Sequence, residues 1–354
     1  MPSEARDLQD LRALLRASLG LGAAPAGVNE LAALEAARAH RVAGFLGRPG
    51  AQGVLVGLSP ESREALRAAH RQGMIEGMMR QQVLARVARA CADQGVLVAP
   101  LKGAWLVSRL YRDPGARTMA DLDVLVPARS FWCACRALRG QGFLVPDPVP
   151  LDRFPVRFFY DHHFVHPDMP CSWVEVHRYL AYRAFVAPDY DEVFARAQRF
   201  EEHGAPLLAL APEDTLLHLG IHQAKHGFRI LLRDTADVAA IVAAGIDWDA
   251  LVPRARAAGA AASLWVALAS ASKALGAPVC DDVLEALAPA AEPRGLLGGL
   301  VDLDGGTGLR DEAQGERALD AAMDRSRARW FFLTQRVARA GDRFRARVAR
   351  ALGG

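Results

Sequence analysis

The stretch LKGAWLVSRLYRDPGARTMADLDVLV, residues Leu101–Val126, carries the pattern on which the fold and chemistry of this chain depend. Lys102 and Gly103 follow an apolar run, a helix-like segment comes next, and Asp121 and Asp123 lie inside a second apolar run. Residues two apart on a β-strand point to the same face, so the two aspartates are expected side by side. Two carboxylates held that close repel each other unless a cation lies between them or one takes a proton. Their oxygen ligands favour Mg²⁺.

Hydrophobic periodicity predicts helices on both sides of a short strand-rich segment. Residues 1–95 read as helical, and the last helix begins at Ser59-Pro60-Glu61 and runs to about Asp93. Strands are predicted at 95–100, 119–126, 142–145, 156–165 and 172–177, with a helix at 130–140. From about residue 189 the chain is again predicted to be helical, apart from a glycine-rich loop at 295–308. The pattern predicts an α+β fold in which a small mixed β-sheet is flanked by N-terminal and C-terminal helical regions.

A third carboxylate and several histidines lie on the later strands. Glu175 stands between two valines, and His177, two residues on, shares its face. Neighbouring side chains on a strand alternate, so His162 and His163 cannot both point into one cleft, and we name His163 as the candidate. Three such acids could hold one or two Mg²⁺ ions that bridge a nucleoside triphosphate, and one could deprotonate an attacking hydroxyl. The Lys-Gly turn between a strand and a helix suits a phosphate group.

These motifs, in this order, resemble the DNA polymerase β-like nucleotidyltransferase superfamily. More narrowly, they resemble a bacterial nucleotidyltransferase-like family with Lys-Gly in place of the usual Gly-Ser. The matching positions are Lys102-Gly103, Tyr111, Arg117, Asp121-Leu122-Asp123, Glu175-Val176-His177 and the helical segment from Pro212 to His226. The resemblance covers about residues 95–250. It implies a nucleotidyltransferase core at 95–187, between helical regions at 1–94 and 188–354.

The resemblance implies an enzyme that moves a nucleoside monophosphate group from an NTP to a hydroxyl or phosphate acceptor and releases pyrophosphate. Mg²⁺ or Mn²⁺ would be the cofactor. Asp121, Asp123 and Glu175 would be catalytic residues and metal ligands. The nucleotide would be bound by Lys102, Gly103, Arg117, His222 and Lys225, while His177 and His163 would support the site or contact substrate. The acceptor would be a small molecule, a peptide such as a natural-product precursor, or a protein.

One departure from the superfamily pattern keeps a second hypothesis open. Ala104 stands where the wider superfamily often has serine, so no hydroxyl helps to hold a triphosphate there. The alternative is a catalytically degenerate protein that binds a nucleotide or a partner on the same scaffold. The third acid, Glu175, favours the enzyme.

Three further patterns bear on the function. His218, His222 and His226 recur every fourth residue along one helix face. Zinc would need another ligand there. The resemblance implies that this helix closes over the nucleotide or acceptor, the alternative for part of the stripe being packing in the core. Asp302 and Asp304 imitate the Asp-x-Asp pattern in a glycine-rich loop and are expected to be solvated. Residues 325–350 are rich in arginine and aromatic residues. We expect them to form a terminal helix with a packed apolar stripe, the alternatives being contact with RNA or an anionic membrane.

Bulk composition adds little to these motifs. The chain has 354 residues and a net charge of +3, too close to neutral to indicate a nucleic-acid or membrane partner. Its five cysteines contain no C-x-x-C pair, which favours reduced thiols over disulfides or zinc. No signal peptide and no apolar run of about 18 residues is seen. We therefore expect a cytoplasmic protein without a membrane span and without a nucleic-acid partner.

Overall fold

The computed structural model describes residues 2–146, 160–183, 185–229, 231–302 and 312–323. The start of the strand predicted at 156, Asp304 of the second Asp-x-Asp pattern and the arginine-rich segment at 325–350 lie outside the described residues.

The N-terminal region is helical, as predicted. Its helices are α1 (Pro2–Ser18), α2 (Glu30–Ala39), α3 (Ala43–Gly47) and α4 (Pro60–Ala92). The Ser59 side chain accepts a hydrogen bond from the Ser62 amide, and Pro60 occupies the first turn, where a missing N–H costs nothing. The predicted start and end of this long helix are thereby confirmed.

The middle of the chain forms a four-stranded mixed sheet in the order β1-β2-β4-β3. The strands are β1 (Ala99–Pro100), β2 (Leu122–Leu125), β3 (Asp161–Phe164) and β4 (Val174–His177). β2 and β4 are parallel, and the two outer pairs are antiparallel. β1 leads into the short helix α5 (Lys102–Trp105) and a π-helical segment at Leu106–Tyr111, and α6 (Phe131–Gly140) follows β2.

Three predicted strands differ from the structure. The strand predicted at 95–100 is limited to Ala99–Pro100. The strand predicted at 119–126 begins at Leu122, so Asp121 lies just before the strand. The segment predicted at 142–145 makes a single bridge, from Leu144 to Val165. Short apolar runs predict strands without fixing their ends, because pairing with neighbours determines where the ladder begins.

The sheet has one apolar face. Its residues pack against α4 and α6 in one buried cluster, to which the sheet contributes Leu122, Val124, Phe164, Val174 and Val176. The alternation of strand side chains therefore leaves Asp123, Glu175 and their neighbours on the opposite face.

A β-hairpin interrupts the segment after residue 189 that we predicted to be helical. It consists of β5 (Gln198–Glu202) and β6 (Ala205–Ala209), and the Leu208 amide donates a hydrogen bond to the Val98 carbonyl. Its two turn residues, His203 and Gly204, have φ values of 49° and 68°, as the tight turns of hairpins require. The prediction missed it because its strands, QRFEE and APLLA, are short and lack a regular alternation of polar and apolar residues.

The rest of the C-terminal region is helical. Its helices are α7 (Tyr190–Arg196), α8 (Pro212–Lys225), α9 (Leu232–Ala243), α10 (Trp248–Ala257), α11 (Ala261–Leu275), α12 (Asp281–Leu287), α13 (Ala291–Asp302) and α14 (Glu312–Ala321). The loop predicted at 295–308 is wrong as far as Asp302, because Leu297, Leu300 and Val301 recur at helical spacing and are buried.

The helices from both ends of the chain share one core. Leu11 and Phe45 from the N-terminal helices belong to the same buried cluster as Leu219, Ile241 and Leu264 from the C-terminal helices. With helices on both sides of a small mixed sheet, the fold is α+β, as predicted. Among the described residues, no helix combines the length and apolarity needed to cross a membrane.

Candidate active site

The polar face of the sheet collects the acids and histidines of three strands. In the register, Asp123 on β2 lies opposite Glu175 on β4. On the other side of β4, His163 lies opposite Glu175 and Asp161 lies opposite His177. Asp121 precedes β2 by one residue and is half-buried.

Asp123 is the most deeply enclosed of the acids. It is 2% exposed, and its Oδ1 accepts hydrogen bonds from Lys102 Nζ at 2.6 Å and from His177 Nε2 at 2.8 Å. Burial alone would raise the pKa of Asp123, but the charge of Lys102 and the hydrogen bond from His177 hold it well below its usual value. Asp121 differs, because burial and the negative charge of Asp123 raise its pKa.

The turn between β1 and α5 directs Lys102 toward Asp123. Lys102 has a left-handed φ of 46°, an uncommon conformation for a residue with a side chain. Gly103 is needed for space, since a Cβ atom there would lie 2.6 Å from Met119 Cγ and 3.5 Å from Arg117 Nη1. The turn is therefore packed against Met119 and Arg117.

Arg117 is buried and bound to α9. Its Nε donates a hydrogen bond to Asp237 at 2.8 Å, and its Nη2 lies 3.7 Å from Asp234. Tyr111 donates a second hydrogen bond to Asp237, at 2.8 Å. Burial opposes the charge of Arg117, but the two carboxylates outweigh it and raise its pKa. Arg117 therefore lies beside Gly103 with its charge already paired.

His177 and His163 lie on either side of Glu175. His177 Nε2 is 3.5 Å from Glu175, and His163 Nε2 is 3.6 Å from it. Burial lowers the pKa of His177, but hydrogen bonds to Asp123 and Glu175 outweigh burial and raise it to about 9. His162 points to the other face, where it packs on Phe164.

Helix α8 covers the polar face. His218 is 1% exposed, and neither of its ring nitrogens has a hydrogen-bond partner. Burial and then the charge of Lys102 hold the pKa values of His218 and His222 well below the usual value, and the same two causes lower the pKa of Lys225. Lys225 Nζ donates a hydrogen bond to the Tyr160 hydroxyl at 2.8 Å. The helix thus presents basic groups to the acids.

Within the described part of the chain, two groups of side chains are close enough to share a metal ion. They are Asp123, Glu175 and His177, and Asp161, His163 and Glu175. The α8 histidines belong to neither group, so the structure adds no support for the zinc alternative.

Comparison with protein families gives a match over residues 27–276 to the family described as "Uncharacterised nucleotidyltransferase". This chain belongs to that uncharacterised nucleotidyltransferase family. No curated protein and no solved structure matches the chain. The family name supports transfer of a nucleoside monophosphate group in general and an NTP as substrate.

Two residues of this candidate site carried no motif. Asp161 faces His177, and Tyr160 links Lys225 to the strand face. Alternation along β3 places Asp161 on the face of His163, so the sequence held a signal for Asp161 once His163 was assigned. The contact between Tyr160 and Lys225 joins residues 65 positions apart and left no local signal.

A cavity of about 700 Å³ lies near the carboxyl ends of the parallel strands β2 and β4. Its lining includes Pro127, Tyr179, Tyr190, Arg183 and Arg254. Arg254 Nη1 is buried and has no hydrogen-bond partner. None of the clustered acids lines this cavity, which is therefore distinct from the acidic site.

Proposed function

We propose that the chain is a Mg²⁺- or Mn²⁺-dependent nucleotidyltransferase of the DNA polymerase β-like type, which moves an NMP group from an NTP to a hydroxyl or phosphate acceptor and releases pyrophosphate. The observation that carries the proposal is the approach of Asp123, Glu175 and His177 to within 4.8 Å of one another on the polar face. Asp121, one residue before β2, is outside that group and is included on the strength of its raised pKa. The family match supports the reaction class.

The acids fit a divalent cation. The pKa of Asp121 is raised by burial and by the charge of Asp123, so a cation between them would relieve an existing repulsion. When bound there, the cation would neutralise charge on the triphosphate. Because a hydrogen bond from His177 outweighs burial and lowers its pKa, Glu175 stays ionised and can accept the proton of an acceptor hydroxyl.

The basic groups fit the triphosphate. Burial and Lys102 lower the pKa values of His222 and Lys225, so a polyanion between these residues would favour their charged forms. With a cation at Asp123, Lys102 would be available to pair with the triphosphate. Gly103 gives the turn the space it needs beside Met119. We expected Arg117 to bind the triphosphate, but Asp237 and Asp234 of α9 already engage its guanidinium, so in our proposal Arg117 supports the turn.

A test of the nucleotide site is calorimetric titration with each NTP in the presence of Mg²⁺. Lys225→Met should weaken binding about tenfold or more, because it removes a buried charge from the phosphate site. Lys273→Met is the matched control, since Lys273 lies exposed on α11. Equal affinities for the two variants would contradict the assignment of Lys225.

A catalytically degenerate nucleotide-binding protein is the second candidate, and one observation favours it. Lys102 already occupies Asp123 Oδ1, as a permanent replacement for a metal would. This candidate predicts NTP binding that does not respond to Mg²⁺, whereas the enzyme predicts binding that Mg²⁺ strengthens.

The acceptor in our proposal is a small molecule, a peptide such as a natural-product precursor, or a protein, and not a nucleic acid. We also propose a cytoplasmic location, which the five free cysteines support.

A further inference from the structure

The polar face of the sheet ends in an exposed aromatic side chain that takes no part in the proposed transfer chemistry. Trp173 comes directly before β4 and two positions before Glu175, so strand alternation puts these two side chains on the same face. The Trp173 carbonyl accepts a hydrogen bond from the Leu122 amide at 2.9 Å, which places Trp173 beside Asp121. Its ring centroid lies 5.8 Å from that of His163, which faces Glu175 across the strands. Trp173 therefore belongs to the face that holds the acids.

Much of the Trp173 side chain reaches solvent. Trp173 is 38% exposed, whereas Trp105 and Trp265 are 5% and 8% exposed and pack in the core of the helices. The neighbouring His163 side chain is 44% exposed, so one side of this aromatic pair is open. A single exposed apolar residue is common on protein surfaces, but Trp173 stands in line with the acids. Its indole is therefore available to a ligand of the acidic site.

The opposite end of the polar face carries positive charge. Lys225 Nζ donates a hydrogen bond to the Tyr160 hydroxyl, and the Tyr160 carbonyl accepts one from the Arg178 amide just past β4. The amino group of Lys225 therefore lies near the carboxyl end of β4, and Trp173 lies at its amino end. The residues from Trp173 to Arg178 span about 16 Å at 3.3 Å per residue. This length is comparable with that of an extended nucleoside triphosphate.

A nucleoside triphosphate has the same polarity as this face. Its triphosphate is a polyanion, its base is a flat aromatic ring, and the ribose and the α-phosphate lie between them. With the triphosphate toward Lys225, the base would reach Trp173. The α-phosphate, where the proposed transfer takes place, would then lie over the acids between these two residues. The reverse orientation would put the phosphates against the indole and away from Lys225.

We propose that Trp173 is the platform on which the nucleobase of the NTP stacks, with the His163 ring at its edge. The inference rests on the proposed function, since it assumes that the acids and Lys225 hold the triphosphate. Stacking on an aromatic ring is open to every base, because every base has a flat π face. Trp173 therefore adds affinity for nucleoside triphosphates as a class and does not select one base.

The test separates the base from the phosphates. Calorimetric titration in the presence of Mg²⁺ compares ATP, GTP, CTP and UTP with inorganic tripolyphosphate, which has no base. Trp173→Ala should weaken NTP binding about tenfold, the effect of losing one base–aromatic stack, and should leave tripolyphosphate binding unchanged. Trp173→Phe keeps an aromatic ring and should weaken NTP binding less.

The matched control is Met79→Ala, which removes a side chain of similar exposure, 40%, from α4 on the apolar side of the sheet. It should bind every probe as wild type does. Wild-type affinity of Trp173→Ala for the NTPs would overturn the proposal. An equal loss of affinity for NTPs and tripolyphosphate would also overturn it, because the change would then act on the phosphate site or the fold. Failure of wild type to bind any of the four NTPs would contradict the proposed function and the platform with it.

Discussion

Asp123 is in direct contact with two buried positive groups, Lys102 and His177, whereas for Asp121 burial and the charge of Asp123 outweigh the attraction of Lys102. Asp123→Asn leaves Lys102 and His177 without a counter-ion, which should lower the free energy of unfolding by about 3–5 kcal/mol. Asp121→Asn removes a charge that burial and Asp123 disfavour, so without metal this variant should be at least as stable as wild type. Urea denaturation at pH 7 measures both. Equal destabilisation by the two changes would contradict the charge balance described here.

The raised pKa of His177 predicts how stability depends on pH. Its pKa is 6.5 in a model peptide and about 9 in the folded chain. The protonated form is favoured by folding, so this stabilisation is complete below pH 6.5 and is lost as pH rises through about 9. The full loss would be about 3 kcal/mol. Across this pH range the free energy of unfolding should decline in wild type and not in His177→Gln. A constant difference in that free energy between the two proteins would argue against the raised pKa of His177.

Much of the residue-level arrangement was predictable from strand alternation. Strand side chains alternate with a period of two, and this alternation puts four of the site residues on one face: Asp123, Glu175, His163 and His177. The hydrogen bond from Lys102 to Asp123 was not predictable, because it depends on a left-handed φ at Lys102 and on a turn packed against Met119.

At the level of elements, α3 and α4 are joined by close backbone contact. A Cβ atom on Gly47 would overlap the Leu66 carbonyl oxygen in α4. Gly47→Ala should therefore destabilise the fold by about 3 kcal/mol, because neither backbone can move without disturbing the core. Gly57→Ala is the control, since no atom lies within 4 Å of its Cβ position. Similar changes in melting temperature for the two variants would show that the two backbones can separate without a loss of stability.

Elements with many turns of periodic sequence were predicted well, and short ones were not. α4 has 33 residues and a capping serine, so its bounds followed from the sequence. The hairpin of β5 and β6 and the helix α13 were missed. Pairing with Val98 stabilises the hairpin, and burial of Leu297 stabilises a helix whose glycines predict a loop.

At the level of the whole molecule, one buried ion pair joins the sheet-containing core to the C-terminal helices. Arg117 and Asp237 are 7% and 1% exposed and 2.8 Å apart. Arg117→Met alone should cost about 3–5 kcal/mol, because it leaves Asp237 buried and unpaired. The double change with Asp237→Leu should recover much of that loss.

A double-mutant cycle on the exposed pair Arg67 and Glu64 is the control, with an expected coupling below about 1 kcal/mol. Coupling of the same size at both pairs would contradict a special role for the buried pair.

The division into 1–94, 95–187 and 188–354 stays a prediction, and the core shared by the first and last parts suggests that limited proteolysis would release them together.

The most direct test of nucleotidyl transfer compares two labelled forms of the same NTP. The purified protein is incubated with a bacterial lysate, Mg²⁺ or Mn²⁺, and NTP labelled with ³²P at either the α or the γ phosphate. We predict that α label becomes attached to an acceptor and that γ label leaves as pyrophosphate. Asp121→Asn should abolish both. Attachment of γ label, or equal α labelling by wild type and Asp121→Asn, would contradict the account.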